Sequence, residues 1–527
     1  MSLLRSLAHP LPFVLLAAAA TAQQNDVPFE RDIYLDLELN AACRGSRIHS
    51  GIKPLIQSRA DLTGVMGYRP DKRKHYYVFT EKLFKEHLVE VKKDGVRLTL
   101  DPVFRFERGW DVRDPSDFAD TTTFYVNSRG LWITGNIGPR LSFQTTFYEN
   151  QAIFPQYIYT QAQATGVVPG QGRIKGFKNR AFDFAWAQGN VSWSPRGWIN
   201  VQFGNGRHFV GHGYRSILLS DVSFNQPYFK VNVLSPDKRW QYNTIHTKLT
   251  PGVLQTDRLP TGQSSESLFY WKRAVFHHLS LDLGRVQLGL FEANIFQSID
   301  STGVAPISFR EVNPIIGVNT LLNGFAAGQQ DLVGLDIRVK LTDLLFVYGQ
   351  LATDDPGRTT GWQAGFRWFR LFGKDLHLQA EYNSASRYLY MNTPARINHV
   401  HYGQPLAHPA GTWFDEFVVI VDARIKQRWL LRAQVNGITY RLDGPDGLNL
   451  GGNIFRPDPG TDVEGEPLVR QMYMLDLSAG WLMNQMTNMR LSAGLRLRDI
   501  DNAPDFLSSA YYYVAWSTSL FNRYYDF

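Results

Sequence analysis

Apolar and polar residues alternate through the middle and the end of the chain. In the segment LHLQAEYN (376–383), leucine, alanine and tyrosine alternate with histidine, glutamine, glutamate and asparagine. The segments GLDIRVKL (334–341) and MRLSAGLRLR (489–498) repeat this pattern. Because successive side chains of a β-strand point to opposite faces, a period of two predicts strands with one apolar and one polar face. The fold must therefore offer many strands two different environments.

The connections between these strands alternate between tight turns, such as 136–138 and 342–343, and long loops, such as 205–226 and 298–330. A soluble β-sandwich does not require this regular alternation, whereas a transmembrane β-barrel of the bacterial outer membrane shows it. An even strand number places both termini on the periplasmic side. We predict strands near 96–106, 122–134, 139–149, 181–193, 198–204, 227–235, 239–250, 268–283, 285–297, 331–340, 344–354, 360–371, 375–386, 412–425, 427–440, 469–483, 488–500 and 509–526.

Tryptophan and tyrosine near the strand ends are expected to form belts at the two membrane interfaces. Some of these rings could equally pack in the lumen. The residues are Trp132, Trp193, Trp198, Trp240, Tyr270, Trp413, Trp429 and Trp481.

The N-terminus predicts export from the cytoplasm. Arg5 precedes an apolar run, and Ala20-Thr21-Ala22 forms a cleavage pattern, so residues 1–22 are interpreted as a signal peptide. The single cysteine, Cys43, excludes an intramolecular disulfide and a multi-cysteine metal site. The formal net charge of +7 suits an acidic partner such as lipid phosphate or acidic glycan, or reflects only a surface rich in arginine.

The region before the strands follows a different pattern. In 74–93, apolar residues recur at helical spacing, which predicts an amphipathic helix. We expect this helix to cover the periplasmic mouth of the barrel. The predicted organisation is a signal peptide (1–22), an N-terminal periplasmic segment (23–93) and a barrel (94–527).

The glycine-rich stretch FGNGRHFVGHGYRSILLSD (203–221) is the first candidate site. Its two histidines at i and i+4 could share a metal only on a helix, and four glycines oppose a helix there. A dinucleotide-binding loop would need a following helix, which is also missing. We expect a loop folded into the barrel mouth, where polar groups bind sugar hydroxyls, carboxylates or phosphates, or brace the barrel. The candidate residues are Arg207, His208, His212, Tyr214 and Arg215.

Three further groups complete the set of candidates. An aromatic and polar cluster in another long loop, suited to stacking on sugar rings, comprises His401, Tyr402, Gln404 and His408. The segment 315–326 is expected to fold inward as a constriction. Charged residues that face the lumen by parity, and are expected to brace it, are Asp336, Arg338, Arg367, Glu381, Arg432, Asp476, Arg490 and Arg496.

Enzyme motifs are missing from the sequence. It contains no G-x-S-x-G, and no Ser/His/Asp arrangement can be singled out. His277 and His278 are adjacent on a strand and point to opposite faces, so they cannot form a dyad. We therefore predict a non-enzymatic protein without a cofactor or bound metal and without a nucleic-acid partner.

Three segments together resemble the Wzi-type capsule-assembly family of outer-membrane barrels. They are GHGYRSILLSD (211–221), REVNPIIGVNTLLNGFAAGQQDLVGLDIRVKL (310–341) and AEYNSASRYLYMN with NHVHYGQPLAHPAG (380–411). The likeness is strongest to the Bacteroidetes branch that includes the gliding-motility protein RemB. The resemblance implies an eighteen-stranded barrel with an N-terminal helical part that closes the periplasmic side. It also implies lectin-like retention of capsular polysaccharide, or a role in surface motility.

Three functions remain open at this point. The first is a surface barrel that binds or organises polysaccharide, or supports gliding or adhesion machinery. The second is a porin-like channel for small solutes, and the third is a structural subunit of a larger outer-membrane complex. The expected partners are membrane lipid and lipopolysaccharide, surface polysaccharide, and proteins of the type 9 secretion or gliding kind.

Overall fold

Eighteen antiparallel strands close into one barrel in the computed structural model, which describes residues 23–44, 48–65, 77–114, 116–252, 269–300, 303–325, 328–504 and 507–527. The predicted signal peptide lies outside the described residues. The barrel strands are β1 Val96–Asp111, β2 Phe124–Ile137, β3 Leu141–Ile153, β4 Ala181–Arg196, β5 Ile199–Gly206, β6 Gln226–Leu234, β7 Trp240–Leu249, β8 Lys272–Asp282, β9 Val286–Gln297, β10 Gln329–Lys340, β11 Leu345–Thr353, β12 Gly361–Trp368, β13 Leu376–Ala385, β14 Phe414–Ile425, β15 Trp429–Leu442, β16 Leu468–Asn484, β17 Met489–Ile500 and β18 Ser509–Thr518.

Each strand pairs with the next, and β18 pairs with β1 from Tyr511↔Asp111 to Ser517↔Arg105, which closes the cylinder. Closure pairs the backbone groups that would otherwise form two sheet edges, as a wall in hydrocarbon requires. The fold class predicted from the sequence is confirmed, and every predicted strand has its counterpart in the structure. We call the two rims the short-turn end and the long-loop end.

The remaining elements are short. Strands outside the ring are Ile52–Lys53, Val89–Lys93, Lys175–Phe177, Phe209–Val210, Ile299–Asp300, Gly303–Val304, Val400–His401 and Gln404–Pro405. The α-helices are α1 Arg31–Arg44, α2 Val78–Phe84, α3 Asp117–Thr121, α4 Gln156–Thr165, α5 Phe309–Val312 and α6 Val318–Asn323.

The two faces of the wall differ as the alternation predicts. On β13, His377, Gln379 and Glu381 are buried inside the barrel, while Tyr382 is exposed on the outer face. Trp193, Trp198, Trp240 and Trp429 are about half exposed near the short-turn end, consistent with an interfacial belt. Trp132 is not part of that belt, because its ring is buried against Tyr148, Trp186 and Phe521 in the interior.

Two predicted elements are wrong in extent. The helix expected over 74–93 is confined to α2, and Val89–Lys93 is a strand that pairs with the Val96–Leu100 part of β1. This pairing occupies the edge of β1 beyond its contact with β18. The last strand, expected to run to residue 526, ends at Thr518, and residues 519–527 turn into the lumen.

Residues 23–44 and 48–65 lie inside the barrel. Val27, Ile33, Leu37 and Leu55 form a small core within them, and backbone and side-chain bonds join them to the wall. A larger apolar core fills the lumen towards the long-loop end, where Ile217, Leu218 and Leu219 of one long loop meet Leu406 of another and wall residues such as Phe276. The interior is therefore packed with protein.

The segment 315–326 was expected to fold inward, and this expectation is wrong for its described part. Residues 315–325 lie against the outward face of β7–β10, where Thr320 contacts Glu292.

Candidate functional site

The lumen is the candidate site, and an acidic helix at its centre meets a basic wall. Helix α1 carries Asp32, Asp36 and Glu38, and Glu30 precedes it. Asp32 pairs with Arg432 at 2.6 Å and with Arg490 at 2.5 Å, and Glu30 accepts from Arg490 at 2.8 Å. Ion pairs of this kind, shielded from bulk water, tie the helix to a fixed position on strands distant in sequence.

Further pairs extend this contact around the helix. Asp36 pairs with Arg424 and Glu38 with Arg367, while Arg31 reaches Asp422 at 3.3 Å. Most arginines that the sequence places in the lumen thus hold the N-terminal segment. Arg338 likewise donates to Ser50 Oγ at 2.7 Å. Two of these arginines also bond across neighbouring strands, Arg432 to Asp422 at 2.6 Å and Arg367 to Gln379 at 2.8 Å. Arg496 also pairs across strands with Asp476 at 3.0 Å.

A long loop enters the lumen from the opposite end. We call residues 207–225 the inward loop. Its strand Phe209–Val210 pairs with Ile52–Lys53 of the N-terminal segment, and Lys53 Nζ donates to Gly211 O at 2.8 Å. Gly211 has φ +125°, and a Cβ there would lie 2.1 Å from the Gln350 amide, so only glycine fits this approach.

Arg215 organises the deepest part of the inward loop. Its guanidinium donates to both carboxylate oxygens of Glu416 and reaches Asp526 at 3.1 Å. Glu416 also binds His408 Nε2 at 2.6 Å, and all four side chains are buried. The network joins the inward loop, β14, a second long loop and the C-terminal tail, so removing one member would leave buried charge without its partner.

Asp336 and Glu381 hold the base of the same loop. Asp336 on β10 lies 2.8 Å from His278 Nε2 and 3.3 Å from His212 Nε2. Glu381 on β13 accepts from the backbone N–H of Tyr214 at 2.7 Å and of Arg215 at 2.9 Å. The two carboxylates therefore fix the loop backbone against the wall.

The other predicted ligand-binding residues also bond within the protein. Arg207 donates to Asp221 O at 2.7 Å, and Gln404 accepts from Gly170 N at 2.7 Å. His401 Nδ1 accepts from Thr250 N at 3.0 Å. Within the described part of the chain, neither ring nitrogen of buried His208 has a hydrogen-bond partner. The structure thus brings Arg215 and His408 together but leaves His208 and Arg207 in separate surroundings.

Burial keeps the histidines of the inward-folded loops neutral at neutral pH. It lowers the pKa of His212 to about 4 and the pKa values of His399 and His401 to about 3. The pKa of His208 is likewise lowered by burial and then by nearby Lys230. In the part of the chain that the structure describes, no group of three or more His, Cys, Asp or Glu could hold a metal ion.

A polar cavity of about 200 Å³ remains between α1, the C-terminal tail and the wall. Tyr214, Asp422 and Arg432 are among its lining residues, with Arg523 of the tail. The Arg523 guanidinium lies 4.2 Å from the Phe521 ring centroid, and burial, then nearby Arg105, lowers its pKa to about 10. The small volume of this cavity suits water or a small ion rather than a sugar ring.

Sequence reasoning missed an aromatic and cationic group at the long-loop end. The Arg173 guanidinium lies 3.5 Å from the Phe269 ring centroid and 4.5 Å from that of Tyr402, which packs 4.8 Å from Phe224. We call Arg173, Phe269 and Tyr402 the rim cluster; its three side chains are partly exposed. Tyr402 alone was a candidate, because the three residues belong to three different loops.

Comparisons with known proteins give one informative match. Wzi of Escherichia coli, described as an outer-membrane protein involved in group 1 capsule assembly and a carbohydrate-binding β-barrel, is similar over 93% of this chain and 99% of its own. The TM-score is 0.56 and the identity 14%, so the likeness concerns the fold.

Two Pseudomonas aeruginosa barrels also align, at levels too low to support an inference. OpdQ has a TM-score of 0.41 and 10% identity over 81% of this chain and 98% of its own. OpdD has a TM-score of 0.44 and 9% identity over 81% and 99%. No protein-family model and no curated relative matches the sequence. The comparisons thus give the chain a Wzi-like outer-membrane barrel fold.

Proposed function

We propose that this protein is an outer-membrane barrel that binds surface polysaccharide at its long-loop end and does not conduct solutes. The short turns face the periplasm, and the long loops face the cell exterior. The observation that carries the proposal is the filled lumen. The N-terminal segment, the inward loop and the C-terminal tail all bond to the wall through buried side chains.

A lumen packed with these three segments is poorly suited to conduct solutes. A conducting pore needs a continuous lining of water-accessible groups. Here Ile217, Leu218 and Leu219 of the inward loop are fully buried against the wall and the second long loop. Moving them would break the Arg215–Glu416 contact, which is expensive because both groups are buried.

The rim cluster supplies chemistry that suits a sugar. Phe269 and Tyr402 are partly exposed aromatic residues suited to apolar contact with a sugar ring, and Arg173 beside them brings a positive charge suited to a sugar carboxylate. The carbohydrate binding stated for Wzi supports this choice of ligand class.

Glycan-array binding of the detergent-solubilised protein tests the proposal. We expect binding to surface glycans of the host that falls at least several-fold in Tyr402→Ala and Arg173→Ala. The matched control is Phe372→Ala, an exposed aromatic residue at the short-turn end, which should leave binding unchanged. Failure of the natural protein to bind any surface glycan of its host would refute it.

Planar-bilayer recording separates this function from the porin-like alternative. A closed baseline is expected for the natural protein, and a steady open conductance would favour the channel.

We also propose that the protein is related to the RemB-like gliding branch; glycan binding does not depend on this relationship. Co-purification of type 9 secretion or gliding proteins in native conditions would support that role, or a role as a subunit of a larger complex.

A further inference from the structure

The outward wall of β7–β10 carries a patch of polar side chains where the alternation calls for apolar ones. Trp240, Leu288 and Leu290 mark the outward parity on β7 and β9 and are exposed. Polar residues at the same parity are Tyr242, Thr244, His246, His277, Glu292, Asn294 and Asp331. We call them the outer polar patch. His277, Glu292, Asn294 and Asp331 are nonetheless almost fully buried.

One long loop covers this patch, and we call residues 303–325 the strap. Thr320 Oγ1 donates to Glu292 Oε1 at 2.6 Å, and Gly317 N donates to Glu292 Oε2 at 2.6 Å. Asn323 Nδ2 donates to Asp331 Oδ2 at 2.6 Å. Each of these carboxylates on the barrel wall is thus hydrogen-bonded to the strap.

Wall side chains also satisfy backbone carbonyls of the strap. The Tyr242 hydroxyl donates to Pro314 O at 2.5 Å, and His246 Nδ1 lies 3.1 Å from Glu311 O. Arg273 donates to Ala305 O at 2.7 Å and also pairs with Glu311 at 2.5 Å. An unpaired backbone polar group is costly at membrane depth, and these bonds satisfy three carbonyl groups of the strap on its wall side.

The opposite side of the strap is apolar and unusually exposed. Exposed fractions run from 54% to 85% for Ile307, Phe309, Val312, Ile315, Leu321 and Leu322. Six large apolar side chains on one short segment form a patch of the kind that marks a membrane or protein contact. The strap contacts the wall at Glu292, two residues beyond exposed Leu290 on the outward face of β9, so its apolar patch adjoins the exposed apolar residues of the wall.

The depth of the outer polar patch in the membrane indicates what the exposed side of the strap contacts. Trp240 stands at the short-turn end, and Tyr242, Thr244 and His246 follow it two, four and six residues along β7. With a rise of about 3.4 Å per residue and a tilt of about 40°, these positions lie roughly 5–16 Å from Trp240 along the barrel axis. An apolar band is about 25 Å tall, so the patch lies within it.

We propose that the strap is a lipid-facing part of the barrel, whose exposed apolar residues contact acyl chains of the membrane and restore the apolar band over the outer polar patch. The partner is lipid because the strap surface continues the lipid-facing wall at the same depth. The inference rests on the membrane location of the barrel and is independent of glycan binding.

Spin labelling in lipid vesicles tests the strap directly. The chain has one cysteine, so a Cys43→Ser background allows a single label at Leu321→Cys. The controls are Leu290→Cys on the lipid-facing wall and Leu448→Cys in a long loop, which are 47% and 41% exposed. We expect the Leu321 label to match Leu290, with high collision rates with oxygen and several-fold lower rates with a water-soluble nickel chelate than Leu448.

Two outcomes would overturn the proposal. Nickel accessibility equal to that of Leu448 would place the strap in water. Protection from both oxygen and nickel would mean that protein, such as a second barrel, covers it. As a second measurement, Leu321→Asp with Leu322→Asp should lower the folded yield in vesicles several-fold relative to Leu448→Asp, whereas equal yields would contradict lipid contact.

Discussion

The inward loop and the strap leave the same end of the barrel and fold to opposite sides of its wall. The inward loop carries charge into the lumen, where Arg215 meets Glu416 and Asp526. The strap instead brings mainly backbone N–H groups, hydroxyls and amides to carboxylates on the outer wall, such as Glu292.

The difference shows how surroundings select loop composition. Inside the lumen, the loop is enclosed by protein, and its apolar residues 217–219 are fully buried. Outside, the strap has protein on one face only, so its apolar residues point away from the wall. Polar groups on the wall hold both loops, but only the inward loop also buries apolar side chains against the wall.

The largest effect on stability is expected from removing Arg215, which anchors the inward loop. Arg215→Ala leaves the buried carboxylates of Glu416 and Asp526 without their shared cation, which should reduce the free energy of unfolding by about 3–5 kcal/mol. Urea unfolding in detergent measures the change. Arg239→Ala, which removes a half-exposed pair to Asp237, is the control and should cost less than about 1 kcal/mol. Equal losses in the two variants would show that the buried network does not anchor the loop.

A smaller and local effect is expected at the strap. In Glu292→Gln, an amide N–H₂ faces the donors of Gly317 and Thr320, so part of the contact is lost. The free energy that holds the strap on the wall should fall by about 1–3 kcal/mol. Because about 1.4 kcal/mol corresponds to a tenfold change in an opening equilibrium, tryptic cleavage after Arg310 should accelerate about fivefold or more. Glu464→Gln, at an exposed position, should leave cleavage unchanged. An unaltered rate for Glu292→Gln would mean that this carboxylate does not hold the strap.

The effect that is smallest at neutral pH is a difference in pH dependence between the two loops. The pKa of His212, lowered to about 4 by burial, lies below its unfolded value of about 6.5, so the unfolded state binds more protons between these values. Stability from this residue is complete above pH 6.5 and falls by about 1.4 kcal/mol per pH unit towards pH 4. Asp336, Arg338 and Lys53 are the charged groups that act on it.

Unfolding curves between pH 7 and pH 4 for the natural protein and His212→Gln measure this slope. The variant should lose less stability on acidification than the natural protein. Tryptic cleavage of the strap should depend on pH in the same way in both proteins. Parallel curves would show that His212 titrates alike in the folded and unfolded chain.

Strand positions could be predicted because a lipid-facing wall imposes a period of two on each segment. The location of the strap could also have been recognised. Glu292 and Asn294 share the parity of Leu288 and Leu290, and such polar residues on a lipid face require a cover. The sequence around Glu292 does not show which segment covers it, because Gly317 and Thr320 bond to Glu292 only after the loop has folded back.

The candidate site was less predictable for a related reason. The residue types of the inward loop indicated a polar cavity, but their partners come from distant parts of the chain, such as Asp526 for Arg215 and Ser50 for Arg338. The end of β18 is a similar case. Aromatic residues continue to Phe527, yet the strand stops at Thr518, and the residues after it bond to distant partners such as Asp221 and Arg498 in the lumen.

The enclosed C-terminus limits how the protein can be handled and assembled. Phe527 O accepts from Arg498 within the cylinder, and Asp526 is bound by Arg215. An affinity tag fused after Phe527 would have to share this space or displace the tail. The terminus must also enter before the final seam locks, so late steps of insertion are expected to be more sensitive to additions here than at a long loop.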